Sequence, residues 1–211
     1  MDEKQVQYLQ RMLPPADNWV RDLEEEAITD HVPIMDQVGM NFVMQLIRLT
    51  KPKRILEVGT AIGYSAMRMV EANPETSVVT IERDEVRYNQ AIDNINKMDM
   101  GDSIQAINGD ARDVIRTLIA DESFDMVFID AAKGKYKCFF ELSAPLLSEN
   151  GFILSDNVLF KGYVADAEKE HPKFQKLARK LRDYNDWLIR HPDFVTSIVP
   201  VGDGVAISYK K

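Results

Sequence analysis

The spacing of apolar positions changes part-way along the chain. Up to about residue 50 they recur every three or four places, with Val38, Phe42, Leu46 and Leu49 on one stripe. That is the period of an amphipathic helix, and it predicts helices over 3–12, 18–28 and 36–49. From residue 54 onward, short apolar runs rich in β-branched residues alternate with helical stretches. Strands are expected at 54–58, 77–81, 103–107, 124–129, 151–155, 194–199 and 204–209, and helices at 64–72, 85–98, 111–118, 135–147 and 172–190. Such alternation builds a mainly parallel, doubly wound α/β sheet with helices on both faces. The strand cores ILEV, MVFI and FIL lack clean alternation, as buried parallel strands do. The last two strands are separated only by Pro200, Val201, Gly202 and Asp203. No crossover fits in that length, so they form an antiparallel hairpin. The expected architecture is a Rossmann-like, seven-stranded sheet with added N-terminal helices. It forms a single domain over 1–211, with a helical part at 1–50 and the core at 51–211.

Composition narrows the setting. With 211 residues, 45% hydrophobic and 28% charged, the chain has the make-up of a globular domain large enough to bury a core. No apolar run approaches the roughly 20 residues a membrane span needs. The first residues carry mixed charge and no signal-like apolar stretch, so a cytoplasmic protein with no membrane partner is expected. One cysteine, Cys138, excludes an internal disulfide and a zinc–cysteine cluster. A net charge of −8 argues against a general nucleic-acid coat protein, although a local basic patch remains able to bind RNA.

The first candidate chemistry lies at strand ends. After the strand at 54–58, Gly59 and Gly63 are spaced G-x-x-x-G. This is not the G-x-G-x-x-G of dinucleotide binders, which disfavours a nicotinamide oxidoreductase. Glu57 sits where open α/β sheets bind ligands, and Glu82, about 20 residues beyond the turn, is placed to accept hydrogen bonds from a ribose diol. Asp110, with Ala111 beside it, ends the third strand and could meet an adenine amino group.

A second group follows. Asp130 ends the fourth strand, and Asp156 and Asn157 end the fifth. Two carboxylates and an amide oxygen are a hard, all-oxygen donor set, suited to magnesium and also to manganese. The histidines His31, His171 and His191 are scattered without ligand spacing and read as surface or capping residues. Lys133, three residues beyond Asp130, could serve as a base, because a neighbouring divalent cation disfavours its ammonium form. These parts suit transfer of an already activated methyl group, in which making and aiming an oxyanion is most of the work. An intact Asp130, Lys133, Asp156 and Asn157 set argues against a non-catalytic cofactor-binding module.

The motifs ILEVGTAIGYSA, TIERD, INGDA, FIDAAKGKY, LSDNV and VPVGDGVAISYK together resemble the class I, cation-dependent O-methyltransferases, the family of catechol and caffeoyl-coenzyme A O-methyltransferases. The resemblance runs in order from about residue 31 to 211. It implies S-adenosylmethionine as methyl donor, with Glu57 and Gly59 at the methionine end and Ser65 at its carboxylate. It also implies Glu82 at the ribose, Asp110 and Ala111 at the adenine, and Ile34 and Met35 closing over the cofactor. Asp130, Asp156 and Asn157 would hold the cation, Lys133 would be the base, and a homodimer is implied. Two departures stand out. Ala131 replaces a larger side chain that often stacks on the cofactor, and no loops correspond to those that recognise coenzyme A thioesters.

HVPIMD together with GTAIGYSAMRM resembles more closely a bacterial branch that methylates 5-hydroxyuridine at the tRNA wobble position. The 5-hydroxyl and 4-carbonyl of that base are vicinal oxygens and could chelate magnesium as a catechol does. The expected acceptor is therefore a tRNA anticodon loop, with a small catechol-like phenol as the alternative. Phosphate contacts would come from Lys133, Lys135 and Lys137, and from the helix carrying Lys173, Lys176, Arg179, Lys180 and Arg182. Tyr136 and Tyr163 are candidates to stack on a splayed base.

Overall fold

The computed structural model describes residues 3–118, 123–166 and 172–211. Among them, three helices come first: α1 (Glu3–Met12), α2 (Asn18–Thr29) and α3 (Gln37–Thr50). The alternating part follows: β1 (Arg54–Val58), α4 (Tyr64–Ala72), β2 (Ser77–Glu82), α5 (Glu85–Lys97), β3 (Ile104–Asn108), α6 (Ala111–Thr117) and β4 (Phe124–Ile129). After it come α7 (Tyr136–Ser143), β5 (Leu147–Ser155), α8 (Gln175–Ile189), β6 (Phe194–Val199) and β7 (Val205–Lys210). Among the described residues no helix is long and apolar enough to cross a membrane.

The strands form one sheet in the order β3-β2-β1-β4-β5-β7-β6. Pairs from β3 to β5 are parallel, and β7 runs antiparallel to both β5 and β6. The chain reverses its direction of travel across the sheet between β1 and β4, which makes their carboxyl ends the switch point where such sheets bind ligands. Alternate residues of each strand face opposite layers. Ile55, Val78, Met126 and Phe128 pack against Val43, Met44 and Ile47 of α3 and Met67 of α4. Leu56, Val58, Val127 and Ile129 pack against Ile115 of α6, Phe140 of α7 and Leu181 of α8. Both faces of the sheet are therefore dry, as the unbroken apolar strand cores require.

The starts of α3 and α5 are fixed by short acidic side chains. Asp36 accepts from Val38 N and Gly39 N at 3.1 and 3.0 Å. Asp84 accepts from Val86 N and Arg87 N at 3.0 and 3.1 Å. Each takes up backbone donors that the first helical turn cannot satisfy.

Boundaries differ most from the sequence expectation between β4 and β5, and the helix expected over 172–190 starts only at Gln175. The helix expected over 135–147 begins as a 3₁₀ turn at Lys133–Lys135, is α-helical only over Tyr136–Ser143 and finishes in a second 3₁₀ turn, Ala144–Leu146. Pro145 has no N–H to donate and its ring crowds the carbonyl one turn back, so the α-helix stops there. The freed Leu147 pairs with Phe124, and β5 starts four residues earlier than expected.

The turn after β1 is the tightest backbone approach in the sheet. Gly59 has φ +109°, and a Cβ there would lie 2.1 Å from the carbonyl oxygen of Asp130. Gly59→Ala should lower the free energy of unfolding by about 1–3 kcal/mol or more, through the left-handed φ and the displaced Asp130 backbone. Urea unfolding of the two proteins measures this, and a change below roughly 0.5 kcal/mol would show that the turn can reshape.

Candidate active site

The carboxyl ends of β1 to β5 open into one pocket of about 360 Å³, within the size range of small-molecule sites. Ile34 and Met35 cover it from the segment between α2 and α3. Its wall has two chemically different ends.

At one end Gly59, Ser65, Glu82, Asp110 and Ala111 line the pocket. Glu82 is held by two backbone donors, Ala61 N to Oε2 and Asp84 N to Oε1, each at 2.9 Å. A carboxylate oxygen accepts more than one hydrogen bond, so both keep capacity for a diol. Asp110 caps α6 through Arg112 N at 2.9 Å. It also takes a forked contact from the Arg112 guanidinium, Nε to Oδ1 at 3.0 Å and Nη2 to Oδ2 at 2.6 Å. These contacts, the guanidinium first, hold its carboxyl well below the usual carboxylate range. Arg112 lines the pocket too. The sequence reading passed over it, and its spacing of two from a helix-capping aspartate was the available signal.

Glu57, expected along the methionine end, has a fully buried side chain and is not among the residues that line the pocket. Its oxygens accept from the hydroxyls of Ser65 and Thr80, the latter at 2.5 Å. Glu57 and Thr80 are direct cross-strand partners in β1 and β2, so the sheet register itself makes this bond. While Glu57 is ionised, Thr80 donates its proton to it, and the 2.6 Å contact between the Thr60 and Thr80 hydroxyls then has Thr60 as donor. In that state Ser65 likewise commits its hydroxyl proton. What it can offer a carboxylate in the pocket is its backbone N–H in the first turn of α4. A threonine inside the apolar run VVTI was the visible sign of this buried network.

At the other end stand Asp130, Lys133, Asp156 and Asn157. Asp130 N donates to Val58 O and Asp156 N donates to Ile129 O, both at 3.0 Å, so the parallel ladder continues one residue past each strand and sets the two carboxylates side by side. Asp156 is 2% exposed. Burial pushes both carboxyls up, the charge of Asp130 adds to the effect on Asp156, and Lys133 works against it at both. Asn157 adopts φ +56°, a conformation asparagine tolerates better than most residues. Its Nδ2 donates to Asp156 Oδ2, a bond that leaves Oδ1 unused. Among the described residues no three His, Cys, Asp or Glu side chains form a cation cluster. The donor set is two carboxylates and one amide oxygen. Two crowded carboxylates with one lysine nearby form a pair that a hard divalent cation would neutralise, so the residues fit magnesium or manganese.

The basic residues divide. Lys133 and Lys135 line the pocket, and Lys180 of α8 reaches the same loop, its Nζ 3.3 Å from where a Cβ on Gly134 would be. Lys137 faces away, 5.0 Å over the Trp187 ring and 3.8 Å from Glu141. Arg182 is taken up by the carbonyls of Tyr163 and Val164 at 2.9 and 3.3 Å. Tyr136 cannot stack on a base, because it is 1% exposed and set edge-on against Tyr184. Tyr163 stacks on Phe174, with ring centroids 5.8 Å apart. His31 is exposed at the end of α2. His191 packs against Phe140, Trp187 and Phe194, and His171 lies outside the described residues.

Residues 15–211 match the O-methyltransferase family model. The chain belongs to the O-methyltransferase family. Membership places it among S-adenosylmethionine-dependent O-methyltransferases of the caffeoyl-coenzyme A and catechol type, and the nicotinamide and binding-module readings fall away. It is 30% identical to a catechol O-methyltransferase from Niastella koreensis, over 78% of this chain and 81% of that protein. A candidate caffeoyl-CoA O-methyltransferase from Staphylococcus aureus is 35% identical, with a TM-score of 0.87 over 99% of this chain and 98% of its own. The S-adenosylhomocysteine-bound methyltransferase from Podospora anserina shares 25% identity, with a TM-score of 0.90 over 100% and 97% of the two chains.

The buried network makes a pH prediction. Burial, partly offset by the Ser65 and Thr80 hydrogen bonds, pushes the Glu57 carboxyl from 4.5 up to about 7. A folded-state value above the unfolded one means that the folded protein keeps a proton the unfolded chain gives up. Stability from Glu57 is therefore full below about 4.5 and is lost as pH rises toward 7, by about 3 kcal/mol in all. Glu57→Gln should remove that loss, so its stability relative to the parent should rise between about pH 5 and about pH 8. Urea unfolding at the two pH values measures the difference, and a constant difference would mean that Glu57 does not hold the proton.

Proposed function

We propose that the chain methylates a hydroxyl on 5-hydroxyuridine at the wobble position of tRNA, using S-adenosylmethionine and a divalent cation, magnesium or alternatively manganese. The observation that carries this reading is that one pocket holds both groups. A glycine turn and the Glu82 carboxylate stand at one end of it, and the Asp130–Lys133–Asp156–Asn157 group at the other.

In this reading Glu82 binds the ribose hydroxyls and Asp110 with Ala111 meets the adenine. The α4 backbone, with Gly59 and Ser65, receives the methionine end, while Ile34 and Met35 exclude water above it. When bound, S-adenosylmethionine would supply an activated methyl and the cation a positive charge that makes the acceptor hydroxyl more acidic. Asp130, Asp156 and Asn157 would hold the cation. Lys133 takes the proton from the acceptor hydroxyl, and the oxygen so freed is held in line with the methyl group by the pocket walls.

The rim favours tRNA over a small phenol. Lys133, Lys135 and Lys180 converge on the loop beside the acid end, where a phosphate backbone would find charge partners. The aromatic residues of the pocket, Tyr64 and Phe139, are 2% and 6% exposed and offer little surface for stacking a free phenol. A tRNA acceptor would put the reaction in the cytoplasm. A homodimer belongs to the same proposal, since Tyr8 and Met12 of α1, 56% and 64% exposed, are apolar surface that a second copy would cover.

The test is transfer of labelled methyl from S-adenosylmethionine, in magnesium, to hydroxyuridine-bearing tRNA and in parallel to a simple catechol. Transfer to tRNA should be faster, should stop with chelator and should be lost in Asp156→Ala. Lys133→Met should slow it by about 100-fold or more. Transfer to catechol alone would keep the chemistry and reject tRNA as acceptor. Transfer unaffected by chelator would remove the cation from the proposal.

A further inference from the structure

Tyr136 is the largest of the fully buried side chains, and its hydroxyl has no hydrogen-bond partner among the described residues. An unsatisfied buried hydroxyl costs about 1–3 kcal/mol, so its place in the fold calls for an explanation. Tyr136 opens α7, six residues after Asp130 on the loop that carries Lys133. Its ring meets Tyr184 edge-on at 5.7 Å. The Tyr184 hydroxyl is 2.7 Å from Ser155 Oγ, and Ser155 immediately precedes Asp156. Tyr136 thus follows Asp130 on one segment and, through Tyr184, packs next to the segment that carries Asp156, and it is not part of the pocket lining. Burial, followed by the nearby charges of Asp130 and Asp156, pushes it well above its usual value and keeps it a donor.

We propose that Tyr136 is a positioning residue for the cation site, its hydroxyl donating from the buried side, across one bridging water, to the Asp130–Asp156 carboxylate pair. This rests on the reading of Asp130, Asp156 and Asn157 as cation ligands. Carboxylates that bind a cation through one lone pair need a donor on another to fix their orientation, and removing such outer partners typically weakens metal binding about 10- to 100-fold. The phenol does not line the pocket, so it would touch neither acceptor nor cofactor and would act only through the carboxylates. It also gives the hydroxyl, otherwise an unexplained cost in the core, an acceptor.

Tyr136→Phe removes one oxygen and keeps the ring in its packing. Manganese binding to the full chain, read by electron paramagnetic resonance, should weaken at least about 10-fold. S-adenosylhomocysteine affinity and the urea midpoint should stay close to those of the parent, a split that a merely structural role would not produce. Tyr184→Phe, which deletes a hydroxyl already bonded to Ser155, should weaken manganese binding less. Equal losses in the two variants would make the effect a general one of the buried layer and overturn the proposal. So would a Tyr136→Phe affinity within about twofold of the parent while Asp156→Ala abolishes binding. Manganese binding that survives in Asp156→Ala would instead overturn the cation-site reading, and the role of Tyr136 with it.

Discussion

The register of the parallel strands β1, β4 and β5 governs what the molecule can do. Ile129 pairs with Val58 on one side and Ser155 on the other. The ladder then runs one step further, through Asp130 N to Val58 O and Asp156 N to Ile129 O. A slip of one residue in either pair would turn one carboxylate to the opposite face of the sheet. The dry packing of both faces prevents such a slip, since every apolar residue of the strand would move with it. The precision of the acid pair is thus inherited from the hydrophobic core. Gly59 belongs to the same constraint, because only a residue without Cβ lets the β1 turn pass so close to the Asp130 carbonyl.

The cost of this arrangement is buried charge. The charge of Asp130 reaches both Glu57 and Asp156, and burial disfavours the ionised form of all three. The protein deals with them in different ways. Glu57 is enclosed by hydroxyl donors, so its charge can be carried or given up without an ion. Among the described residues Asp156 accepts from its neighbour Asn157 and is eased by the charge of Lys133, so less within the chain offsets its burial. That difference separates a carboxylate that supports the fold from carboxylates fit to hold a ligand, although from spacing alone all three look like strand-end acids.

The strands, the G-x-x-x-G turn and the closing hairpin were legible because each is written in local pattern: apolar runs, glycine, and a linker too short to cross over. Asp130, Asp156 and Asn157 were legible as a group for a topological reason, since consecutive strand ends in such sheets meet. Depth was not legible. Nothing local distinguishes Glu57, sealed under Thr80 and Ser65, from Glu82, which faces the pocket. Tyr136 next to three lysines looked like a stacking residue, yet the turn at Lys133–Lys135 rotates it inward onto Tyr184, and the same rotation sends Lys137 toward Trp187. On α8, Arg182 was expected among the phosphate contacts, but it is drawn to the carbonyls of Tyr163 and Val164, far from it in sequence.

The acid end by itself does not choose between a catechol and a hydroxylated base. Both present two neighbouring oxygens, one acidic, and a hard cation held by Asp130, Asp156 and Asn157 would take either. Discrimination must therefore come from groups that contact the rest of the acceptor. A free phenol gains binding energy mainly from apolar and aromatic walls, and here Tyr64 and Phe139 spend their surface on the core. A base at the end of a phosphate chain gains it from charge outside the pocket, and Lys135 and Lys180 stand there. With common chemistry at the centre and basic residues at the mouth, selection falls to the rim. It should weaken with added salt for a polyanionic acceptor and not for a neutral phenol.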